Sequence, residues 1–254
     1  MTLHDGRPLT GPGRPTPARG RRLSRAFEVQ EAVKELIVRR GLAAGDPMPT
    51  ESELMQELDI GRNSVREALK ALQAVGIVDI RHGFGMFVGQ MSLNGLVDEL
   101  AFHSRIGPQD EQSHLAHLTE IREVLENGLA ARLIDRHGGA NLVDLLTPAR
   151  EVLDQMDAEA LVGAVSPETD RLFHELLYRP LGNPLVGRLL GAFWQVFHQL
   201  SDELGAPDET PAYVARKHRD IYTAVVAEDR AAVEAAMVAH FAGIRTRLAR
   251  LRSD

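Results

Sequence analysis

Residues 47–88, PMPTESELMQELDIGRNSVREALKALQAVGIVDIRHGFGMFV, leave little freedom in how they can fold. Thr50 followed by Glu53 has the spacing of a capping box, and Pro49 stands just ahead of it, where no helical N–H is yet needed. Leu54, Leu58 and Ile60 give the short helix that follows an apolar stripe, and Gly61 is expected to interrupt it. A second helix is expected over about 62–75, because Val65, Ala68, Leu69 and Leu72 recur at three- and four-residue spacing and so share one face. Gly76 suits the left-handed conformation that ends many helices. Beyond it, the β-prone segments 77–81 and 86–88 flank His82-Gly83-Phe84-Gly85, which suits a turn. An earlier helix over 26–40 is expected to turn Phe27, Val33, Leu36 and Ile37 inward.

Two short helices with a hairpin behind them can set the start of the second helix in a DNA groove and the hairpin beside it. Arg62, Asn63 and Ser64 occupy the first turn of that helix and Arg66 the next. Arginine can give two hydrogen bonds to guanine, and a helix N-terminus with serine favours phosphate. An isolated R-N-S-x-R stretch reads equally well as a solvated helix surface; the capping box before it and the hairpin after it favour DNA. Residues 26–88 resemble the winged-helix domain of the GntR family of bacterial transcription regulators. The resemblance rests on Gly45-Asp46-x-Met48-Pro49-Thr50-Glu51-x-Glu53-Leu54, Arg62-x-x-Val65-Arg66-Glu67-Ala68-Leu69, Gly76-Ile77-Val78 and Gly83-x-Gly85-x-Phe87-Val88. It implies base or phosphate contacts from Arg62 and Arg66, backbone contacts from Asn63 and Ser64, and a wing tip at His82 and Gly83 that enters the minor groove. Many relatives carry arginine where this chain has Ser52, so a contact made there is expected to be weaker or missing. Glu67 is expected to be structural.

Charge is divided unevenly. Residues 1–89 hold 13 Lys+Arg against 11 Asp+Glu, and residues 90–254 hold 16 against 25, for a net charge of −7 over 254 residues. The acidic part is expected to stay off DNA. The absence of cysteine excludes disulfides and thiolate metal sites. No apolar run is long enough to span a bilayer and no signal peptide is recognisable, so a cytoplasmic protein without membrane partners is expected. Residues 1–25, rich in Pro, Gly and Arg, read as a disordered basic arm, either grazing phosphates or simply solvated.

From Ser92 onward only helical periodicity is found, over about 93–105, 112–137, 139–157, 159–179, 182–205, 209–227 and 229–252. Such a run implies an all-α antiparallel bundle with a ligand site inside it. The fold class expected is therefore mainly α: a winged helix-turn-helix over 26–90 and a helical domain over 91–254. Asp170 and His174, four apart, project side by side; with His218 and His240 they make a sound donor set for zinc, nickel or manganese. Spacing alone is weak support in a chain with ten histidines, and Asp110-x-x-x-His114 is a second, incidental pair.

Residues 115–245 also resemble the FCD effector domain of the FadR branch of GntR regulators. The matching residues are Leu118-x-Glu120-Ile121-Arg122-x-x-Leu125-Glu126, Asp170-x-x-Phe173-His174-x-x-Leu177, Gly182-Asn183-Pro184-Leu185, His218-x-x-Ile221-x-x-Ala224, and Asp229-x-x-Ala232 through Met237-x-x-His240. In metal-binding members these positions supply the ligands, which implies Asp170, His174, His218 and His240 here. The alternative is a polar core network without an ion. Arg122 falls where the family commonly turns an arginine into the pocket, which implies a small carboxylate effector: a sugar acid, hydroxy acid or dicarboxylate. Its alternative is a helix ion pair with Glu126. His198 and Gln195 are further pocket candidates; Trp194, Phe193 and Phe197 are expected in plain core, and Asn183 at a turn.

Together these readings describe a homodimeric regulator on a two-fold-related operator, expected to repress until its effector binds. A metal-dependent enzyme fused to a DNA-binding module is the alternative. His174-Glu175-Leu176-Leu177-Tyr178 departs from the zinc-protease pattern, because tyrosine stands at the second histidine. A constitutive DNA binder whose helices only dimerise is a third reading.

Overall fold

The computed structural model describes residues 19–106, 113–139, 141–200 and 208–251. The chain divides into two compact units, Met1–Met91 and Ser92–Asp254. The first contains helices α1 (Arg19–Arg39), α2 (Glu51–Leu58) and α3 (Arg62–Ala74) and strands β1 (Val78–Arg81) and β2 (Gly85–Val88). Most of the segment read as an arm lies outside the described residues, but α1 starts at Arg19, well before the expected position 26. Phe27 does not face inward: it is 60% exposed, and Val29 is buried instead. At 3.6 residues per turn, Val29, Val33, Leu36 and Ile37 share one face, and Phe27 is rotated off it.

The capping box forms as expected: Thr50 Oγ1 accepts from the Glu53 N–H at 3.3 Å, and the Thr50 N–H donates to Glu53 Oε2 at 2.7 Å. Helix α2 ends not on Gly61 but on Asp59, whose φ of 51° places it in the left-handed region that aspartate tolerates. Gly61 instead leads into α3 as its N-cap residue. The hairpin pairs Val78 with Val88 through Arg81 with Gly85. Its base is drawn tight at Gly89, where a Cβ would fall 1.9 Å from the Gly76 carbonyl oxygen, so only glycine fits. Val33, Leu36, Leu54, Val65, Leu69, Leu72 and Val78 form the core that fixes α3 and the wing to one another.

The second unit holds α4 (Asn94–Ile106), α5 (Ser113–His137), the one-turn α6 (Leu142–Leu145), α7 (Thr147–Leu161), α8 (Pro167–Tyr178), a 3-10 turn at Arg179–Leu181, α9 (Pro184–Gln199), α10 (Pro211–Val226) and α11 (Arg230–Leu251). No strand occurs among its described residues. The helix expected over 139–157 is split into α6 and α7, and the next begins at Pro167 rather than 159. The true stop signal was Gly163, at a φ of 106°, followed by the Ser166 cap and Pro167 in the first turn. Helix α9 opens under the Asn183 side chain, which accepts from the Leu185 N–H, as expected of a turn residue. Phe173, Leu177, Ile221, Val225, Met237 and Phe241 form the core that joins α8, α10 and α11. Among the described residues no helix is long and apolar enough to cross a membrane.

Candidate functional site

In the helical unit, the neighbouring packing of α8, α10 and α11 brings His174, His218 and His240 together, with one ring nitrogen of each within 4.8 Å of the others. His174 and His218 are buried. Asp170, one turn before His174, places Oδ2 3.3 Å from His218 Nε2 and Oδ1 3.8 Å from His174 Nε2. The expected four residues thus converge. Asp110 of the incidental pair lies outside the described residues.

Two of the rings are held from behind. His218 Nδ1 lies 2.8 Å from the Val214 carbonyl, which selects the tautomer that leaves Nε2 free to act as a donor atom toward a cation. His174 Nδ1 sits 2.5 Å from Glu126 Oε2. His174 Nε2 and His240 Nδ1 are buried with no hydrogen-bond partner, while His174 Nδ1 and His218 Nε2 face only the carboxylates of Glu126 and Asp170. Burying that many unmatched ring nitrogens is costly unless something else meets them. A divalent cation fits this set of three imidazoles and a carboxylate.

Electrostatics point the same way. Burial by itself would raise the Asp170 carboxyl, but His218, His174 and His240 outweigh it and hold it well below the usual carboxylate range. Burial, reinforced by the other two imidazoles, pushes His240 well below its ordinary value, so that ring is neutral with a lone pair available. Burial likewise opposes ionisation of Glu126, yet His174 and Arg122 hold its carboxyl down to about 2.

Glu126 is the hub that the sequence did not reveal. Fully buried on α5, it accepts from Arg122 Nε at 2.6 Å and from the Tyr178 hydroxyl at 3.3 Å, besides facing His174. Arg122 therefore makes the ion pair that was its alternative reading, and it also lines a cavity of about 570 Å³. That cavity is further lined by Asp170, His218 and His240. His198 belongs to its wall, stacked on Trp194 with ring centroids 5.4 Å apart. Trp194 and Phe197 line the cavity too, although both were expected in plain core, while Gln195 is exposed and takes no part. Phe193 packs as expected, against Val196 and its neighbours. The signal missed at Trp194 was its four-residue spacing from His198, which puts both on one helix face.

In the first unit Arg62, Asn63 and Arg66 are exposed along one end of α3, and Ser64 is half-buried. Arg66 is not idle: its Nε donates to Glu51 Oε2 at 2.8 Å, tying α3 to α2. Glu67 is exposed beside Lys70 and has no packing role. The wing tip is a turn closed by the Phe84 N–H on the Arg81 carbonyl at 2.9 Å, with Gly83 at a φ of 79°. His82 and Gly83 are exposed there, and Phe84 projects at 82% exposure.

A capped helix, a recognition helix with cationic and polar residues at its start, and a two-stranded wing define a winged helix-turn-helix DNA-binding unit, joined to a helical unit with a histidine-lined cavity. Residues 25–88 match the bacterial regulatory proteins of the gntR family, and residues 117–243 match the FCD domain. The chain belongs to the GntR family of bacterial transcription regulators and carries an FCD domain. It is 26% identical over 208 residues to the HTH-type transcriptional regulator LutR of Bacillus subtilis strain 168, an alignment covering 80% of this chain and 91% of LutR. To the HTH-type transcriptional repressor NanR of Escherichia coli K12 it is 34% identical over 161 residues, covering 62% of this chain and 58% of NanR. A solved GntR structure from Streptococcus agalactiae shares the fold, with a TM-score of 0.64 at 22% identity over 87% of this chain and 99% of the other. These relatives are regulators and not enzymes, and GntR regulators act on DNA operators.

Proposed function

We propose that this regulator is a repressor whose hold on its operator is released by a small organic acid bound in the helical unit beside a divalent ion. The observation that carries this reading is the convergence of three histidines with unpartnered ring nitrogens, two of which, His218 and His240, line a cavity that Arg122 also lines. Asp170, His174, His218 and His240 would hold the ion, with zinc the best match to the donor set and nickel or manganese also accommodated. When bound, it supplies a positive charge with positions open to ligand oxygens. Val214 and Glu126 orient two of the imidazoles from behind. With Nε committed to Glu126, Arg122 keeps its terminal N–H groups for a carboxylate, and His198 on Trp194 bounds the same space. A sugar acid, hydroxy acid or dicarboxylate matches that chemistry.

On DNA, Arg62 and Arg66 read bases or phosphates, Asn63 and Ser64 hold the backbone, and His82 with Gly83 enters the minor groove. Glu51 aims Arg66 while restraining it. The helical domain over 91–254 pairs two chains so that the winged helices over 26–90 meet two-fold-related half-sites. A tenfold loss of operator affinity requires only about 1.4 kcal/mol of coupling between the sites.

The test uses full-length protein, an operator fragment obtained by in vitro selection, and a panel of organic acids on zinc-loaded and chelator-stripped samples. One acid at least is expected to weaken operator binding by about tenfold in the loaded protein and much less in the stripped one. Operator affinity indifferent to every acid, or no metal retained after dialysis, would overturn the reading.

A further inference from the structure

Beside the histidines the cavity holds an ion pair, between buried Lys217 and half-buried Glu209, that the proposed effector site leaves unused. Lys217, adjacent to His218 on α10, is only 4% exposed. Its Nζ donates to Glu209 Oε2 at 2.6 Å and to the His240 carbonyl at 3.1 Å. An ammonium carries three donors, so one remains for the cavity that Lys217 lines. The Glu209 carboxylate lies directly against Gly243 of α11: a Cβ there would fall 2.3 Å from its Oε2 and 2.5 Å from its Cδ. Glycine at this point is what lets a carboxylate approach the helix so closely. Arg247, one turn further along α11, lines the cavity as well. Gly243 is one turn past His240, which puts this position about 5 Å along the helix axis from the imidazole cluster.

We propose that Lys217, Gly243 and Arg247 form a second carboxylate position in the cavity, that Glu209 is its tethered occupant, and that the effector is a dicarboxylate whose distal carboxylate displaces Glu209. This rests on the organic-acid reading above and narrows it. A buried ammonium deprived of its counter-charge is strongly unfavourable, so Glu209 leaves only when another carboxylate arrives. A monocarboxylate gives no such exchange and leaves Glu209 on Lys217. Because Glu209 stands next to Thr210, the cap of α10, its displacement acts on the start of the helix that carries His218.

The experiment measures calorimetric binding of malate, 2-hydroxyglutarate and 2-hydroxyadipate against their chain-matched 2-hydroxymonocarboxylic acids, on zinc-loaded full-length protein with metal content checked. At least one dicarboxylate is expected to bind about tenfold more tightly than its match. Lys217→Met is expected to remove that advantage while lowering monocarboxylate affinity far less. Glu209→Gln, a weaker internal competitor, is expected to enlarge it. Should Lys217→Met fail to fold, Lys217→Gln, which removes the charge but keeps a donor for Glu209 and the His240 carbonyl, takes its place with the same expected loss. Equal binding of the two series, or an equal loss of both in Lys217→Met, overturns the dicarboxylate inference and leaves the organic-acid reading standing. Binding of neither series overturns the dicarboxylate inference, and operator release by the wider acid panel then decides the organic-acid reading on its own.

Discussion

Glu126→Leu removes the carboxylate on which the cavity's polar groups converge, and its cost can be worked from the geometry. Glu126 is fully buried, Arg122 is 8% exposed, and their contact is 2.6 Å. Breaking a buried pair by removing one partner costs about 3–5 kcal/mol, because the remaining charge is stranded. The Tyr178 hydroxyl adds little, since it keeps the Glu126 backbone carbonyl at 3.2 Å as an acceptor. For a unit of this size each kcal/mol moves the midpoint by roughly 2–4 °C, so a fall of about 6–20 °C is expected. The assay is thermal unfolding of full-length protein in chelator, followed by far-UV circular dichroism, so that no metal effect enters. Arg122→Met added to Glu126→Leu replaces both charges with apolar side chains and is expected to recover much of the loss. A single variant melting within about 2 °C of the parent, or a double variant no better than the single, would refute the claim that this pair is mutually compensating.

Arg62→Ala and Arg66→Ala should each weaken specific operator binding by about 1–3 kcal/mol, and anisotropy titrations showing no change would remove the recognition assignment. For Arg66, Glu51→Gln releases the restraining pair and should raise the salt sensitivity of binding, measured as the slope of affinity against salt concentration. His218→Ala combined with His240→Ala should abolish retained metal by elemental analysis; undiminished stoichiometry would refute the donor set. Glu159 answers to pH. Burial opposes its ionisation, but the Ser166 N–H, Thr169 and Gln155 hold its carboxyl below the ordinary value. A depressed carboxyl stabilises the fold above its unfolded pKa and loses that contribution as pH falls through the folded one. Glu159→Gln should therefore destabilise at neutral pH and converge with the parent in acid, and a constant gap across the pH series would contradict this.

The first unit was largely legible because its signals are local. A capping box, a helical apolar face and a glycine-tipped turn are satisfied by neighbours a few residues away, and Thr50, Leu69 and Gly83 each behave accordingly. The errors were also local: α2 ends at Asp59 rather than being interrupted at Gly61, and Phe27 was assigned to the wrong face of α1. In the helical unit, residue types named the four convergent donors, Asp170, His174, His218 and His240, before any contact was known. Their roles as ligands depend on the metal experiments above.

Sequence alone thus determined the element types, the charge division and which side chains have chemistry to offer, since these follow from spacing and residue type. Only the tertiary structure decided what surrounds them. Glu126 is an ordinary helix acid in sequence, and becomes the partner of Arg122, His174 and Tyr178 because α5 and α8 pack there. Lys217 and Glu209 carry no motif, yet the approach of Glu209, just ahead of α10, to Gly243 of α11 sets its carboxylate against buried Lys217. The physical reason is that burial and counter-charge are properties of residues far apart in the chain, and no window along the sequence contains both members of such a contact.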